Sequence, residues 1–97
     1  MKKLTIALCV LVLSGCAAGP SKGEMEQALL TWMHENASKS MVIDDFKAGS
    51  CAKSESQPGY SCSLQAAVSH TGGKDTVQGT FVFDQIEGDW KVVGRTN

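Results

Sequence analysis

From Met25 onward the apolar side chains recur as Met25, Ala28, Leu29, Trp32 and Met33, at i, i+3, i+4, i+7 and i+8. Glu26, Gln27, Thr31, Glu35 and Asn36 fill the positions between them. That spacing draws a stripe along one face of an amphipathic α-helix. Ser21 stands three residues before Glu24, the spacing of a capping box, so the helix is predicted to start there. It is predicted to end near Ala37, where Ser38-Lys39-Ser40 breaks the period.

After Ser40 the period shortens. Met41 to Cys51 is mixed, but Val42, Ile43 and Phe46 indicate a first strand, with an irregularity near Asp44-Asp45. Lys53 to Gly59 is a polar turn region broken by Pro58-Gly59. Tyr60, Cys62, Leu64, Ala66 and Val68 then alternate strictly with polar or small residues, the pattern of a half-buried strand. Thr71-Gly72-Gly73 reads as a hairpin turn, and Val77, Gly79, Phe81 and Phe83 as the inward set of a third strand. Glu87-Gly88-Asp89 turns the chain again, and Trp90, Val92 and Gly94 form the inward set of a fourth. The expected fold is α+β: one N-terminal amphipathic helix packed on a curved four-stranded antiparallel meander. Gly79, in mid-strand, marks a bend that lets the sheet wrap the helix.

The beginning of the chain follows another logic. Met1-Lys2-Lys3 is positive, Leu4 to Leu13 is almost wholly apolar, and Leu13-Ser14-Gly15-Cys16 follows. A basic start, an apolar middle and small residues at the cut are the parts of a secretory signal. Ten apolar residues rise only ~15 Å as a helix, about half of a ~30 Å hydrocarbon layer, so a permanent span is not expected. With a cysteine directly after the small pair, the segment resembles a bacterial lipoprotein signal with its lipobox. The resemblance implies acylation of the Cys16 thiol, palmitate among the chains, and cleavage before Cys16. Ala17 stands where an aspartate would mark inner-membrane retention, so the resemblance implies an outer-membrane anchor facing the periplasm by default. The chain then divides into a signal peptide (1–15), a lipidated tether (16–22) and a single small domain (23–97).

Removing residues 1–15 from 97 leaves 82, enough for one domain with a modest core that benefits from a staple. Of the four cysteines, Cys9 leaves with the signal and Cys16 is taken by lipid, so Cys51 and Cys62 remain as a pair in an oxidising compartment. Ten residues between them do not fit a Cys-x-x-Cys redox pair, and only His34 and His70 could add imidazole to a zinc site. A structural disulfide is expected, and no cofactor.

The helix-then-meander order resembles the cystatin-like architecture, including its small relatives of the nuclear-transport-factor type, over roughly Gly23 to Arg95. The closing Gly88-Asp89-Trp90-Lys91-Val92-Val93 strand is similar to the last strand of many such domains. The inhibitory loops of cystatins, with their Gln-Val-Gly-type motif, are absent, as are the extra helices of the transport-factor cone. The resemblance therefore implies a fold and carries no activity.

Charge narrows the function classes. Nine basic and ten acidic side chains become seven and ten without Lys2 and Lys3, with no basic cluster, which argues against nucleic-acid binding. Ser69-His70 ends a strand beside a glycine turn, where a solvated histidine is the simpler reading, and His34 fits a boundary position on the helix. Asp44 and Asp45 would face opposite ways on a strand unless a bulge intervenes, so they and Glu55 make no carboxylate pair. No phosphate loop or hydrolase elbow appears, and an enzyme is not expected.

The aromatic residues Trp32, Tyr60, Phe81, Phe83 and Trp90 fall on inward positions and read as core. Leu30, Val82, Ile86 and Val93 are left over, and are either scattered surface residues set by β-propensity or a small apolar patch on the outer sheet face. Glu55 and Gln57 lie in a polar loop bracketed by the cysteines, an arrangement that presents a recognition element and equally one that keeps a small hairpin from fraying. The expected role is a non-catalytic protein-binding or accessory module of the cell envelope, with an envelope protein as partner. Two alternatives stay open: inhibition of a periplasmic or incoming enzyme such as a lysozyme, and small-ligand binding between helix and sheet.

Overall fold

The capping box anticipated at Ser21 forms in the computed structural model of the chain, which describes residues 19–96. The Ser21 hydroxyl accepts the Glu24 N–H at 3.1 Å, and the Glu24 carboxylate accepts the Ser21 N–H at 2.8 Å. Two of the helix's orphan donors are thereby satisfied, and helix α1 runs Lys22–Asn36. It is N-terminal to the sheet, not to the chain: it starts at residue 22. Met25, Ala28, Leu29 and Met33 are buried along its stripe, while Trp32 at the margin is half-buried. The Met33 carbonyl accepts the N–H groups of both Ala37 and Ser38, which closes the last turn. His34 Nε2 lies 2.8 Å from the Met41 carbonyl, donating to it across the α1–β1 connection.

Four strands follow: β1 Val42–Lys53, β2 Tyr60–His70, β3 Gly73–Ile86 and β4 Asp89–Arg95. They pair in sequence order, all antiparallel, as a meander. The backbone of α1 approaches the two edge strands β1 and β4 most closely, so the sheet curls around the helix. Between them lies a core that includes Met25, Leu29, Met33, Phe46, Phe81 and Phe83. Trp32 meets the Phe81 ring edge-on at 5.6 Å, and Trp90 meets Tyr60 at 6.1 Å. Of the five aromatics read as core, Phe81 and Phe83 are buried beside methionine and leucine, while Trp32, Tyr60 and Trp90 stand partly buried at the rim.

Strand parity is set by bulges. β1 carries two irregularities, one between Ile43 and Asp45, where an irregularity was expected, and one between Ala48 and Cys51. Each adds a residue, so Ile43, Phe46, Ala48 and Cys51 pair with Val68, Ala66, Leu64 and Cys62, the inward residues of β2. Cys51 and Cys62 face each other with Cα atoms 4.1 Å apart and form the disulfide. The β3–β4 pair has a third irregularity: Phe83 faces Val92 but Val82 faces Gly94, leaving Val93 as the extra residue. The expected inward set Trp90, Val92 and Gly94 is therefore corrected. Gly94 turns outward opposite Val82, and Arg95 turns inward opposite Phe81. Its guanidinium sits 4.8 Å from the Phe81 ring centroid and donates to the Gln78 carbonyl at 3.0 Å.

The packed chain reaches back into the stretch expected as a tether. Pro20 is buried, and a Cβ on Gly19 would stand 3.3 Å from Tyr60 ring carbons, so Gly19 already lies on the aromatic ring.

Candidate functional site

The β1–β2 loop is tied back to the sheet at its neck and through Gln57, with Glu55, Ser56 and Pro58 exposed. The Ser54 N–H donates to the Gly59 carbonyl at 2.9 Å, closing the loop at its neck. Gly59 has φ +119°, and a Cβ there would come within 2.4 Å of the Phe83 carbonyl oxygen. Only glycine lets the loop press against β3 at this point. From there the loop folds back over the outer sheet face, where the Gln57 carboxamide nitrogen lies 2.6 Å from the place a Cβ on Gly94 would occupy. The absence of a side chain at residue 94 is what makes room for Gln57.

This packing corrects the expected apolar patch. Val82, expected on an exposed outer face, is 1% exposed and stands opposite Gly94, under the end of the sheet that the loop roofs. Leu30 is half-buried and packs against the core. Val93 (41% exposed) and Ile86 (45%) remain accessible, but the Asp84–Lys91 pair lies between them along the ladder. The leftover residues therefore do not join into one surface. Of the loop residues, Glu55 is exposed and Gln57 is half-buried.

Of the residues considered for catalysis, Asp44, Ser69 and His70 lie at the opposite end of the sheet. The bulge turns Asp44 toward Ser69, whose hydroxyl donates to the Asp44 carboxylate. His70, one residue on, belongs to the other face: its Nδ1 accepts the Gly72 N–H at 3.1 Å, and Nε2–H donates to Asp75 at 2.7 Å. The hydroxyl and the imidazole each have a different carboxylate partner, so Ser69 and His70 are not paired with each other. Asp75 is 68% exposed, and a solvated contact of that kind contributes about 0–1 kcal/mol. Glu55 lies past the other end of β1 from Asp44, so the three carboxylates do not converge. Among the described residues no three His, Cys, Asp or Glu side chains are placed to hold a metal ion.

Hollows mark the surface, a third, of ≈ 280 Å³, lying by Asp44, Lys74 and Asp75 besides the two larger ones. One, of ≈ 330 Å³, separates α1 from the β3–β4 hairpin and is lined by Glu24, Gln27, Thr31, Asp89, Trp90 and Lys91. The other, of ≈ 320 Å³, crosses the sheet where Gly49 and Ser63 leave little side-chain bulk between Lys47, Gln65 and Gln78. The first reaches the buried core residue Ala28 and the second the buried Leu64.

Cys16 lies outside the described residues. Within them, no helix is long and apolar enough to cross a membrane. Sequence reasoning missed two features, the Arg95–Phe81 contact and the roofing of Val82 by the loop. Both follow from the bulge at Val93, and strict alternation carries no signal for it. No family model matches the chain, and neither curated proteins nor solved structures provide a match.

Proposed function

We propose that this chain is a lipoprotein anchored to the outer membrane through Cys16, working as a non-catalytic protein-binding or accessory module of the cell envelope. The observation that carries the reading is the Lys2-Lys3 start, the apolar run to Leu13 and the small pair Ser14-Gly15 immediately before Cys16. The Cys51–Cys62 disulfide supports it, because such bonds persist in oxidising compartments. The separation of Ser69 from His70 favours binding over catalysis. The helix-then-meander order supports a cystatin-like reading of the fold, from which no activity is taken. Anchoring raises the effective concentration beside a membrane partner, so a small interface suffices. With Val82 buried, the accessible candidates for that interface are Val93 and Glu55, with Gln57 and Leu30 half-exposed.

Metabolic labelling with palmitate and density-gradient fractionation test the anchor. The full chain is expected to take up label and to sediment with outer membranes, and the Cys16→Ser variant to do neither. An unlabelled, freely soluble full chain would refute the reading. In-cell crosslinking then tests the module: one envelope protein should be recovered with the parent chain, with recovery reduced by Val93→Asp at unchanged protein level.

A further inference from the structure

The amino-terminal end of the packed domain fixes how much chain separates it from Cys16. Gly19 lies on the Tyr60 ring and Pro20 is buried, so only residues 17 and 18 stand between the folded unit and Cys16. Three Cα–Cα steps of 3.80 Å reach at most ~11 Å. We infer, resting on the lipoprotein reading, that the domain meets the lipid headgroups with its Tyr60 end, seating the Ile86-Glu87-Gly88 turn among them and holding the β2–β3 turn at Thr71-Gly72 away from the membrane.

The topology defines that end. Tyr60 starts β2, pairs with Lys53 at the end of β1, and faces Phe83 on β3. The first turn of α1 is here, and so is the roofing loop at residues 54–59. The β3–β4 hairpin runs three residues past Phe83, which carries its turn ~10 Å beyond the Tyr60 row. Glu87 (φ 55°) and Gly88 (φ 90°) make it a tight two-residue turn, a narrow projection rather than a broad face. Ile86 beside the turn is 45% exposed, and half-buried Tyr60 and Trp90 stand behind it. Aromatic rings with one polar end suit the headgroup level, and an exposed isoleucine suits the boundary beneath it.

Charge does not drive this approach. Lys22, Lys53 and Lys91 are offset by Glu24, Glu55, Glu87 and Asp89 at the same end. The tether imposes it, so contact depends on linker length and little on salt. The β2–β3 turn lies ~33 Å away along β2. The far end of the sheet, with Val42, Asp44, Lys74 and Asp75, stays clear of the headgroups, and a partner engaged by Val93 or Glu55 is itself held close to the membrane.

The test uses the full-length acylated protein, oxidised at Cys51–Cys62, with a thiol-reactive fluorophore on Ile86→Cys or, separately, on Thr71→Cys. It is reconstituted in phosphatidylethanolamine–phosphatidylglycerol vesicles carrying a nitroxide on the headgroup. The nitroxide should quench the label at position 86 several-fold more than that at 71, equally in low and high salt. Inserting twelve Gly/Ser residues between Ala18 and Gly19 should erase the difference. Equal quenching at both positions, or a difference that survives the linker, would overturn the orientation while leaving the anchor intact. A chain that mass measurement shows to be unacylated would overturn both.

Discussion

Replacing Cys51 and Cys62 together by alanine tests what the disulfide contributes. The two residues are 11 apart in sequence, and the chain-entropy relation for a loop of that size gives about 3 kcal/mol of stabilisation through the unfolded state. A domain of this length has a total stability of about 4–12 kcal/mol, so the bond supplies a large share. At about 4–8 °C per kcal/mol, the midpoint should fall by roughly 10–25 °C. Position adds a local effect. Cys51 directly follows the second bulge of β1, so the bond holds the register of the last three β1 residues and the neck of the roofing loop. Amides of Ala52 to Lys53 should lose exchange protection first. Reducing the parent protein isolates the crosslink, because Cys62, fully buried, still fills its place as a thiol. The measurement is urea or thermal unfolding by tryptophan fluorescence of a soluble Cys16→Ser chain lacking residues 1–15. A loss below about 1 kcal/mol on reduction would refute the chain-entropy argument. A reduced parent as unstable as the double variant would show that packing at Cys62 contributes nothing.

Val82→Ala should cost about 1–2 kcal/mol in the same unfolding assay, whereas Val93→Ala should stay within about 0.5 kcal/mol, although both are valines facing each other's strand. Equal effects would contradict the bulge at Val93. Gly59→Ala forces a side chain onto a positive φ and into the Phe83 carbonyl, so a loss above about 2 kcal/mol is expected. Gly94→Ala meets only the flexible end of Gln57 and should cost less than Gly59→Ala, while increasing susceptibility of the 54–59 loop to proteolysis. Ser21→Ala removes the capping bond and should lower stability by about 1 kcal/mol, with helical signal reduced in circular dichroism.

Some elements are legible from composition and spacing because their causes are local. A hydroxyl three residues before a carboxylate caps a helix wherever it occurs, and the structure starts α1 one residue after Ser21. The stripe Met25, Ala28, Leu29 and Met33 is buried because a 3.6-residue period allows one buried face. Strict alternation in Tyr60 to Val68 likewise marks β2, a central strand with one face on the core. β1 is harder to read: as an edge strand with two bulges it breaks its own alternation, and only Phe46 is fully buried in it. The candidate site was the least legible part. Val82 was assigned to solvent by its parity, yet its burial depends on a glycine across the ladder and a loop from another hairpin.

The amino-acid sequence by itself determined the helix and its cap, the meander, and the pairing of Cys51 with Cys62. Each of these rests on residues close in sequence, or on cysteines left over once the others are assigned. The tertiary structure alone decided which face Gly94 and Arg95 take, why Val82 is covered, and that Gly19 and Pro20 belong to the packed domain. The reason is physical: a bulge is an offset between two strands, and a contact such as Gln57 over Gly94 joins segments far apart in the chain. Neither has a counterpart in the period of one strand, and both exist only once the strands are paired.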